Sequence, residues 1–149
     1  MRAFSIQEAY VKDFMQHIFT HDTFTDFEVR GMTLHGFTYF EISGEKMSST
    51  KEYNSSVDYC TWGELCPYVR YVIKGRERPR AMKIIFAKVK PEAIHPNAAS
   101  LFFNMMYESD KIICTTATSQ KNFDMSKAVD IKWDDWVADF LKQKGIIVN

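Results

Sequence analysis

Apolar residues recur at intervals of three and four in the first part of the chain, and this spacing predicts an amphipathic helix. The apolar stripe consists of Val11, Phe14, Met15, Ile18 and Phe19. Ser5 and Glu8 stand three residues apart ahead of this stripe, which is the pattern of a capping box, so we expect the helix to begin directly after Ser5. We place a short strand over residues 2–4 before it.

A second helix is predicted from a capping box at Thr61 and Glu64 and from the apolar stripe that follows them. The stripe consists of Leu65, Val69, Val72 and Ile73. Gly75 comes next, and glycine suits the left-handed conformation that often ends a helix. Pro67 conflicts with a continuous helix, because proline lacks an amide hydrogen and its ring clashes with the preceding turn. We therefore expect the four residues before Cys66 to form a separate turn, and the main helix to begin at Cys66 with Pro67 in its first position.

A third helix is predicted near the end of the chain, again from apolar residues at helical spacing. Its stripe consists of Trp133, Trp136, Val137, Phe140 and Leu141. Asp134 and Asp135 stand at the beginning of this stripe, and Lys142 and Lys144 stand at its end. This charge order suits the helix dipole, which favours acids near the start and cations near the end.

Between the helices the pattern changes to a period of two, which predicts strands. The predicted strands cover residues 24–34, 37–42, 82–89, 101–107 and 111–118. Gly31 interrupts the alternation of the first strand and indicates a β-bulge. The last two strands form a hairpin across residues 108–110, and we expect residues 122–125 to extend it. Residues 44–56 are polar, and we interpret them as a loop or an exposed edge hairpin.

The order of these elements predicts an α+β fold with a mostly antiparallel sheet and three helices, because strands and helices do not alternate as they do around a parallel sheet. With 149 residues, the chain is long enough to form a single domain with its own core, over residues 1–149. A helix followed by a strand meander occurs twice, over residues 5–59 and 61–125. The two units share the order of their elements and not their residues.

The overall charge is balanced, with 19 basic and 19 acidic residues, which argues against a general attraction to nucleic acid. The sequence has neither an apolar run of about 18 residues nor the apolar segment of a signal peptide, so we expect no membrane partner. Cys60, Cys66 and Cys114 lack the spacing of a disulfide framework, and their odd number indicates free thiols in a reducing compartment. We therefore expect the protein to be cytoplasmic.

The sequence lacks the common catalytic motifs GxSxG, GxGxxG and HExxH. Asp134 and Asp135 do not suit a catalytic pair, because adjacent helix residues point about 100° apart. His17 and His21 have the spacing of two metal ligands, but Ile18 stands where a zinc protease has glutamate. We expect no catalytic residue, no metal and no cofactor, and the sequence favours a non-enzymatic role.

The most distinctive local feature is a cluster of cations with a single acid, between residues 74 and 83. We interpret five residues as a candidate anion-binding site: Lys74, Arg76, Arg78, Arg80 and Lys83. The three arginines alternate, so they share one face if the segment is extended, and guanidinium groups suit phosphate and carboxylate. The alternative interpretation is a solvated loop whose charges protect a strand edge from aggregation.

Several short patterns are spread over nearly the whole chain. They are Phe4-Ser5-Ile6, Lys12 with Phe14, Thr23-Phe24, Trp62 with Leu65, Ile73-Lys74-Gly75, Pro79, Phe86, Tyr107-Glu108, Cys114-Thr115-Thr116, Thr118-Ser119, Trp133-Asp134 and Phe140-Leu141. In these positions the chain resembles a family of short uncharacterised proteins from anaerobic Firmicutes, known as a domain of unknown function. The resemblance implies no activity, substrate or site residue.

The order of elements is also similar to that of a domain of a DNA sliding clamp, in which two helices face the DNA. That likeness implies the same role for Lys12, Gln16, Arg70 and Lys74. The neutral net charge and the additional third helix depart from the clamp pattern.

Three hypotheses of function remain. The first is a binding module whose cationic loop holds a polyanionic partner, either nucleic acid or an acidic protein surface. The second is a small-molecule-binding domain or enzyme with a pocket near the hydroxyl cluster Thr115, Thr116, Thr118 and Ser119, within residues 115–119. The third is a structural or assembly protein that forms a homodimer through its aromatic residues.

Overall fold

The computed structural model describes residues 1–47, 58–75 and 78–149 of the chain. In these ranges it has three α-helices and six β-strands. The helices are α1 (Val11–Phe19), α2 (Trp62–Ile73) and α3 (Ala128–Gln143). The strands are β1 (Ala3–Ile6), β2 (Glu28–His35), β3 (Tyr39–Ser43), β4 (Ala81–Ala87), β5 (Ala98–Glu108) and β6 (Lys111–Gln120). Two short 3-10 turns, Glu8–Tyr10 and Pro91–Ala93, precede α1 and β5.

The six strands form one sheet in the order β1-β6-β5-β4-β2-β3, and each pair of neighbours is antiparallel. This confirms the predicted α+β class. Both predicted helix-plus-meander units contribute strands to this single sheet, and the likeness to a sliding clamp stays a prediction. The register of β2 against β4 shifts between Val29 and Gly31, which confirms the predicted bulge.

One face of the sheet is covered by the three helices. The buried side chains of this face and of the helices form a single hydrophobic cluster. Phe24 stacks on Phe86 and on Phe103 within it, with ring centroids 5.3 and 5.9 Å apart. The high aromatic content of the chain is thus used, at least in part, to fill the core.

The other face of the sheet carries a mixture of charged and apolar side chains. Lys83, Met106 and Ile113 lie side by side on β4, β5 and β6, and all three are exposed. Met82 and Ile84, the neighbours of Lys83 along β4, are buried on the helix side. Side chains alternate between the two faces of a strand, so these two faces are separate surfaces.

The start of α1 corrects the first predicted capping box. Ser5 lies within β1 and pairs with Ile113 of β6, and it does not cap a helix. Phe4 and Ile6 are buried on either side of it, which keeps the chain extended through β1. The helix therefore begins only at Val11, after the 3-10 turn.

The second predicted capping box is confirmed. The hydroxyl of Thr61 accepts a hydrogen bond from the backbone of Glu64 (3.3 Å), and the Glu64 carboxylate accepts one from the backbone of Thr61 (3.0 Å). The prediction that Pro67 delays the helix is wrong, because α2 runs from Trp62 to Ile73 with Pro67 inside it. The capping box and the fully buried Trp62 hold the first turn, so α2 tolerates the one hydrogen bond that a proline removes. Gly75 follows α2 in the left-handed conformation, with φ of 75°, as expected.

The start of α3 also differs from the prediction. The helix begins at Ala128, so Asp134 and Asp135 lie in its middle, and the acid in its first turn is Asp130. The expected interaction of Asp134 and Asp135 with the helix dipole is therefore wrong, because that interaction is limited to the first turn. Residues 122–125 do not extend the hairpin, since β6 ends at Gln120.

Two predictions concern residues outside the described ranges. The loop or edge hairpin predicted for residues 44–56 falls largely on residues 48–57, and Arg76 of the cation cluster lies between the second and third ranges.

All three cysteines carry free thiols, as expected. None of the helices in the described part of the chain combines the length and the apolar character needed to cross a bilayer.

Candidate anion-binding site

Of the five predicted cations, the structure describes Lys74, Arg78, Arg80 and Lys83, and it does not place these four on one surface. Lys74 is the residue that caps the C-terminal end of α2, and its side chain is exposed. Arg78 is also exposed, and one of its guanidinium nitrogens lies 3.6 Å from Oδ1 of Asp110. Arg80 is exposed directly before β4, and its backbone N–H donates to the carbonyl of His35.

Lys83 is separated from these residues by the sheet. Its side chain lies on the uncovered face, in a shallow depression that it shares with Thr33 and Glu41. Arg78 lies on the helix side, near Met82. Lys83 stands at an odd position and the three arginines at even positions, so the alternation of side chains along β4 places Lys83 on the other face, which the interpretation of a single site did not take into account.

A different set of residues forms a cationic surface on α2. Pro67, Arg70, Tyr71 and Lys74 follow one another at helical spacing, and we call this set the α2 stripe. The stripe lines an open groove of about 570 Å³ together with Phe19 and Ile73. This groove has two cations and, among the described residues that line it, no carboxylate.

Two tyrosines project from the same part of α2. The exposed fractions of Tyr68 and Tyr71 are 74% and 83%. They stand three residues apart, so they are neighbours on the helix surface. Exposed aromatic rings beside cations provide flat faces on which another planar group stacks.

The position of α2 is fixed by its N-terminal end. The indole N–H of Trp62 donates a 2.6 Å hydrogen bond to the carbonyl of Ile18 in α1. The carbonyl of Ile18 is one of the last four of α1, which lack partners within the helix, and it accepts this bond together with a weaker one from the Cys66 thiol at 3.9 Å. The bond anchors α2 to α1, while the outer face of α2 stays exposed.

A second groove lies on the other side of Phe19 and Ile73, and we call it the α1 groove. It encloses about 560 Å³. Its floor is apolar and consists of Val11, Met15, Phe19, Ile73 and Met82. Its rim consists of Glu8, Lys12, Arg78, Pro79, Tyr107 and Asp110. The two grooves thus share Phe19 and Ile73 but differ in charge, since among the described lining residues only those of the α1 groove include acids.

The polar end of the α1 groove is organised around Asp110. The hydroxyl of Tyr107 donates a 2.9 Å hydrogen bond to Oδ1 of Asp110, the same oxygen that faces Arg78. Burial, together with this carboxylate, raises the pKa of Tyr107, so the phenol stays protonated and keeps donating. The Arg78 side chain is 81% exposed and its pair with Asp110 is long, so the guanidinium is open to a further partner.

The hydroxyl cluster of β6 takes part in packing the fold. Thr116 is fully buried, and its hydroxyl donates a 2.5 Å hydrogen bond to Asp134 of α3. The hydroxyl of Thr118 donates to Asp130, one turn earlier in the same helix. These two hydroxyls therefore connect α3 to the sheet, and the predicted small-molecule pocket at this cluster stays a prediction.

His17 in α1 and His21, two residues after its end, also have partners within the fold. Nδ1 of His17 lies 2.7 Å from the Thr23 hydroxyl, and the His17 and His21 rings meet edge to face. Burial lowers the pKa of His17, although Asp13 acts in the opposite direction. Across residues 1–47, 58–75 and 78–149, no three metal-ligating side chains come together.

Comparison with known proteins places the chain in a family. A family model described as a family of unknown function, DUF5721, matches residues 17–149. The chain belongs to this family. No curated protein and no solved structure matches the chain.

The two grooves differ in whether all of their residues lie within the part of the chain that the DUF5721 model matches. All of the α2 stripe lies inside residues 17–149, whereas Val11 and Met15 of the α1 groove precede them. The sequence analysis assigned Val11, Met15 and Phe19 to the apolar stripe of α1. The helical spacing identifies these three residues as one side of the apolar stripe of α1, but it does not show that this side stays partly exposed in the folded protein.

Proposed function

We propose that this DUF5721 protein is a non-enzymatic binding module that holds single-stranded nucleic acid on the α2 stripe. The observation that carries the proposal is the groove beside Tyr71, in which Arg70 and Lys74 occur without any carboxylate among the described lining residues. A chain of phosphates is attracted to a surface of one sign, even on a protein whose net charge is zero.

The tyrosines favour a single strand over other polyanions. An unpaired base stacks on an exposed aromatic ring, and such stacking contributes about 1–3 kcal/mol per base without sequence preference. Tyr71 is exposed and lines the groove with the two cations, so phosphate contacts and base stacking are available on the same helix face, and Tyr68 offers a second exposed ring three residues earlier. An acidic protein surface has carboxylates in place of phosphates and does not need these rings.

The experiment measures the fluorescence anisotropy of a labelled oligothymidylate over a series of salt concentrations. Arg70→Gln combined with Lys74→Gln removes two cations, so binding weakens and the slope of log K against log salt becomes shallower by about 1.4, at about 0.7 per phosphate contact. Tyr71→Ala weakens binding by roughly 5- to 150-fold, the equivalent of about 1–3 kcal/mol, and leaves the salt slope nearly unchanged.

The matched control is Lys83→Gln combined with Lys111→Gln, which removes the same charge from β4 and β6. If this control weakens binding as much as the Arg70 and Lys74 pair does, the attraction is general and the proposed surface is wrong. If polyglutamate binds in a way that depends on Arg70 and Lys74 but not on Tyr71, while the oligothymidylate does not bind, the partner is an acidic protein surface.

A further inference from the structure

We infer that the α1 groove is a separate binding site for a small amphipathic carboxylate, a molecule with one carboxylate group and an apolar body. The inference does not depend on the nucleic-acid proposal, because it rests on the other groove and on different side chains. The proposed site consists of the apolar floor of the α1 groove and the exposed guanidinium group of Arg78.

The floor of the groove provides an apolar surface of the right size. Val11, Met15 and Phe19 belong to the apolar stripe of α1 but are only partly buried, and Ile73 adjoins them from the end of α2. The volume of about 560 Å³ lies within the range of about 300–1,000 Å³ that is usual for small-molecule sites. An apolar ligand body that covers these side chains removes their remaining surface from water, which is favourable.

The rim provides one clear position for a carboxylate. Arg78 uses one guanidinium nitrogen toward Asp110 at 3.6 Å, and most of its side chain is exposed. Guanidinium groups bind carboxylates through two parallel hydrogen bonds, which the long contact with Asp110 does not provide. Tyr107 keeps its own hydrogen bond to Asp110, so that acid retains a partner when Arg78 turns toward a ligand.

The acids on the rim limit the ligand to a small anion. Glu8 and Asp110 flank the two cations Lys12 and Arg78, so the rim has no net charge. A chain of phosphates would meet both acids, whereas a single carboxylate contacts Arg78 alone. The groove therefore selects a ligand whose affinity comes largely from its apolar body, with the carboxylate fixing its orientation.

The experiment uses decanoate as the probe and measures its binding to the full chain by isothermal titration calorimetry. Decanol, which lacks the carboxylate, and succinate, which lacks the apolar body, are the matched ligands. We expect decanoate to bind more tightly than decanol by about two- to fivefold, the usual contribution of an exposed ion pair, and succinate not to bind measurably.

Two variants test the position of the site. Met15→Trp fills the floor and abolishes decanoate binding, whereas Met106→Trp, on the uncovered sheet face, leaves it unchanged. Arg78→Gln removes the preference for decanoate over decanol, and Arg80→Gln keeps it. Arg78 is exposed, so Arg78→Gln is expected to fold, and this variant still tests the position of the site if Met15→Trp does not fold.

The inference is overturned if the wild-type chain does not bind decanoate, or if a folded Met15→Trp variant binds it as well as the wild type. It is also overturned if Arg78→Gln keeps the full preference for the carboxylate. The two proposals can fail separately. Absence of oligothymidylate binding contradicts the nucleic-acid proposal and leaves decanoate binding unaffected, whereas absence of decanoate binding contradicts the present inference and leaves oligothymidylate binding unaffected.

Discussion

Replacing Thr116 by valine isolates one hydrogen bond between the sheet and α3. Valine has nearly the same size as threonine, so Thr116→Val leaves no cavity and replaces the hydroxyl by a methyl group that forms no hydrogen bond. In the wild type this hydroxyl donates to Asp134 and accepts from the backbone N–H of Arg2 at 2.8 Å. Both partners lose their hydrogen bond in the variant.

The expected loss of stability follows from the environment of these partners. A hydrogen bond to a charged group contributes about 1.5–3 kcal/mol to the free energy of unfolding. Asp134 is half-buried and Arg2 is exposed, so both can be hydrated in the variant and the loss lies near the lower value, about 1.5 kcal/mol. For a chain of 149 residues this lowers Tm by roughly 4–6 °C.

Urea unfolding measured by circular dichroism tests this prediction. Thr115→Val is the control, because Thr115 precedes Thr116 on β6 and has only a 3.5 Å contact with Asn104, so its loss of stability stays within about 0.5 kcal/mol. In a double-mutant cycle with Asp134→Ala, which removes the acceptor, the two changes are not additive if the bond is as described. Equal stability of Thr116→Val and Thr115→Val, or strict additivity with Asp134→Ala, would refute the reasoning.

Two further predictions concern stability. Because burial lowers the pKa of His17 below its ordinary value of 6.5, the unfolded chain binds a proton more readily than the folded chain, so the contribution of His17 to stability is present above about pH 6.5 and is lost as the pH falls through the lowered pKa. The free energy of unfolding in urea, measured across pH 5–8, should depend less on pH for His17→Gln than for the wild type. An unchanged pH dependence would contradict the assignment. Gly44→Ala should destabilise the fold by roughly 3 kcal/mol or more, because a Cβ there would lie 1.5 Å from the carbonyl oxygen of Val29. Gly36→Ala is the control, since a Cβ there has no atom within 4 Å and should change stability by about 0.5 kcal/mol at most. Similar thermal unfolding of the two variants would contradict this prediction.

The fold class was predictable because strands and helices have different hydrophobic periods. Local motifs were less reliable, and the two capping-box patterns show why. Thr61 caps α2 as predicted, but the same pattern at Ser5 lies in a strand, because pairing with β6 and burial of Phe4 and Ile6 outweigh the local preference. Pro67 was misjudged for a related reason, since Trp62 secures the first turn of α2 through a contact with Ile18 that is 44 positions away in the sequence.

The candidate sites were harder to predict than the fold. The cluster from Lys74 to Lys83 was visible as composition, and the strand over residues 82–89 was predicted to within one residue of the observed start of β4 at Ala81. The sequence has no pattern that places Arg78 beside Asp110, because that contact depends on how the segment before β4 packs against the β5–β6 turn. The α1 groove depends on residues as far apart as Val11 and Tyr107. Such a surface arises only from the packing of α1 against the end of the sheet, and no local pattern records it.

The pairing of β1 with β6 has a consequence for how the chain reaches its native state. Arg2 and Thr116, which bond to each other at this edge, are 114 positions apart in the sequence. The contact order of the sheet is therefore high, and domains of this kind fold slowly for their size. During translation, Phe4 and Ile6 leave the ribosome long before β6 exists to cover them, so the nascent chain presents an apolar segment that chaperones can bind until β6 has been synthesised.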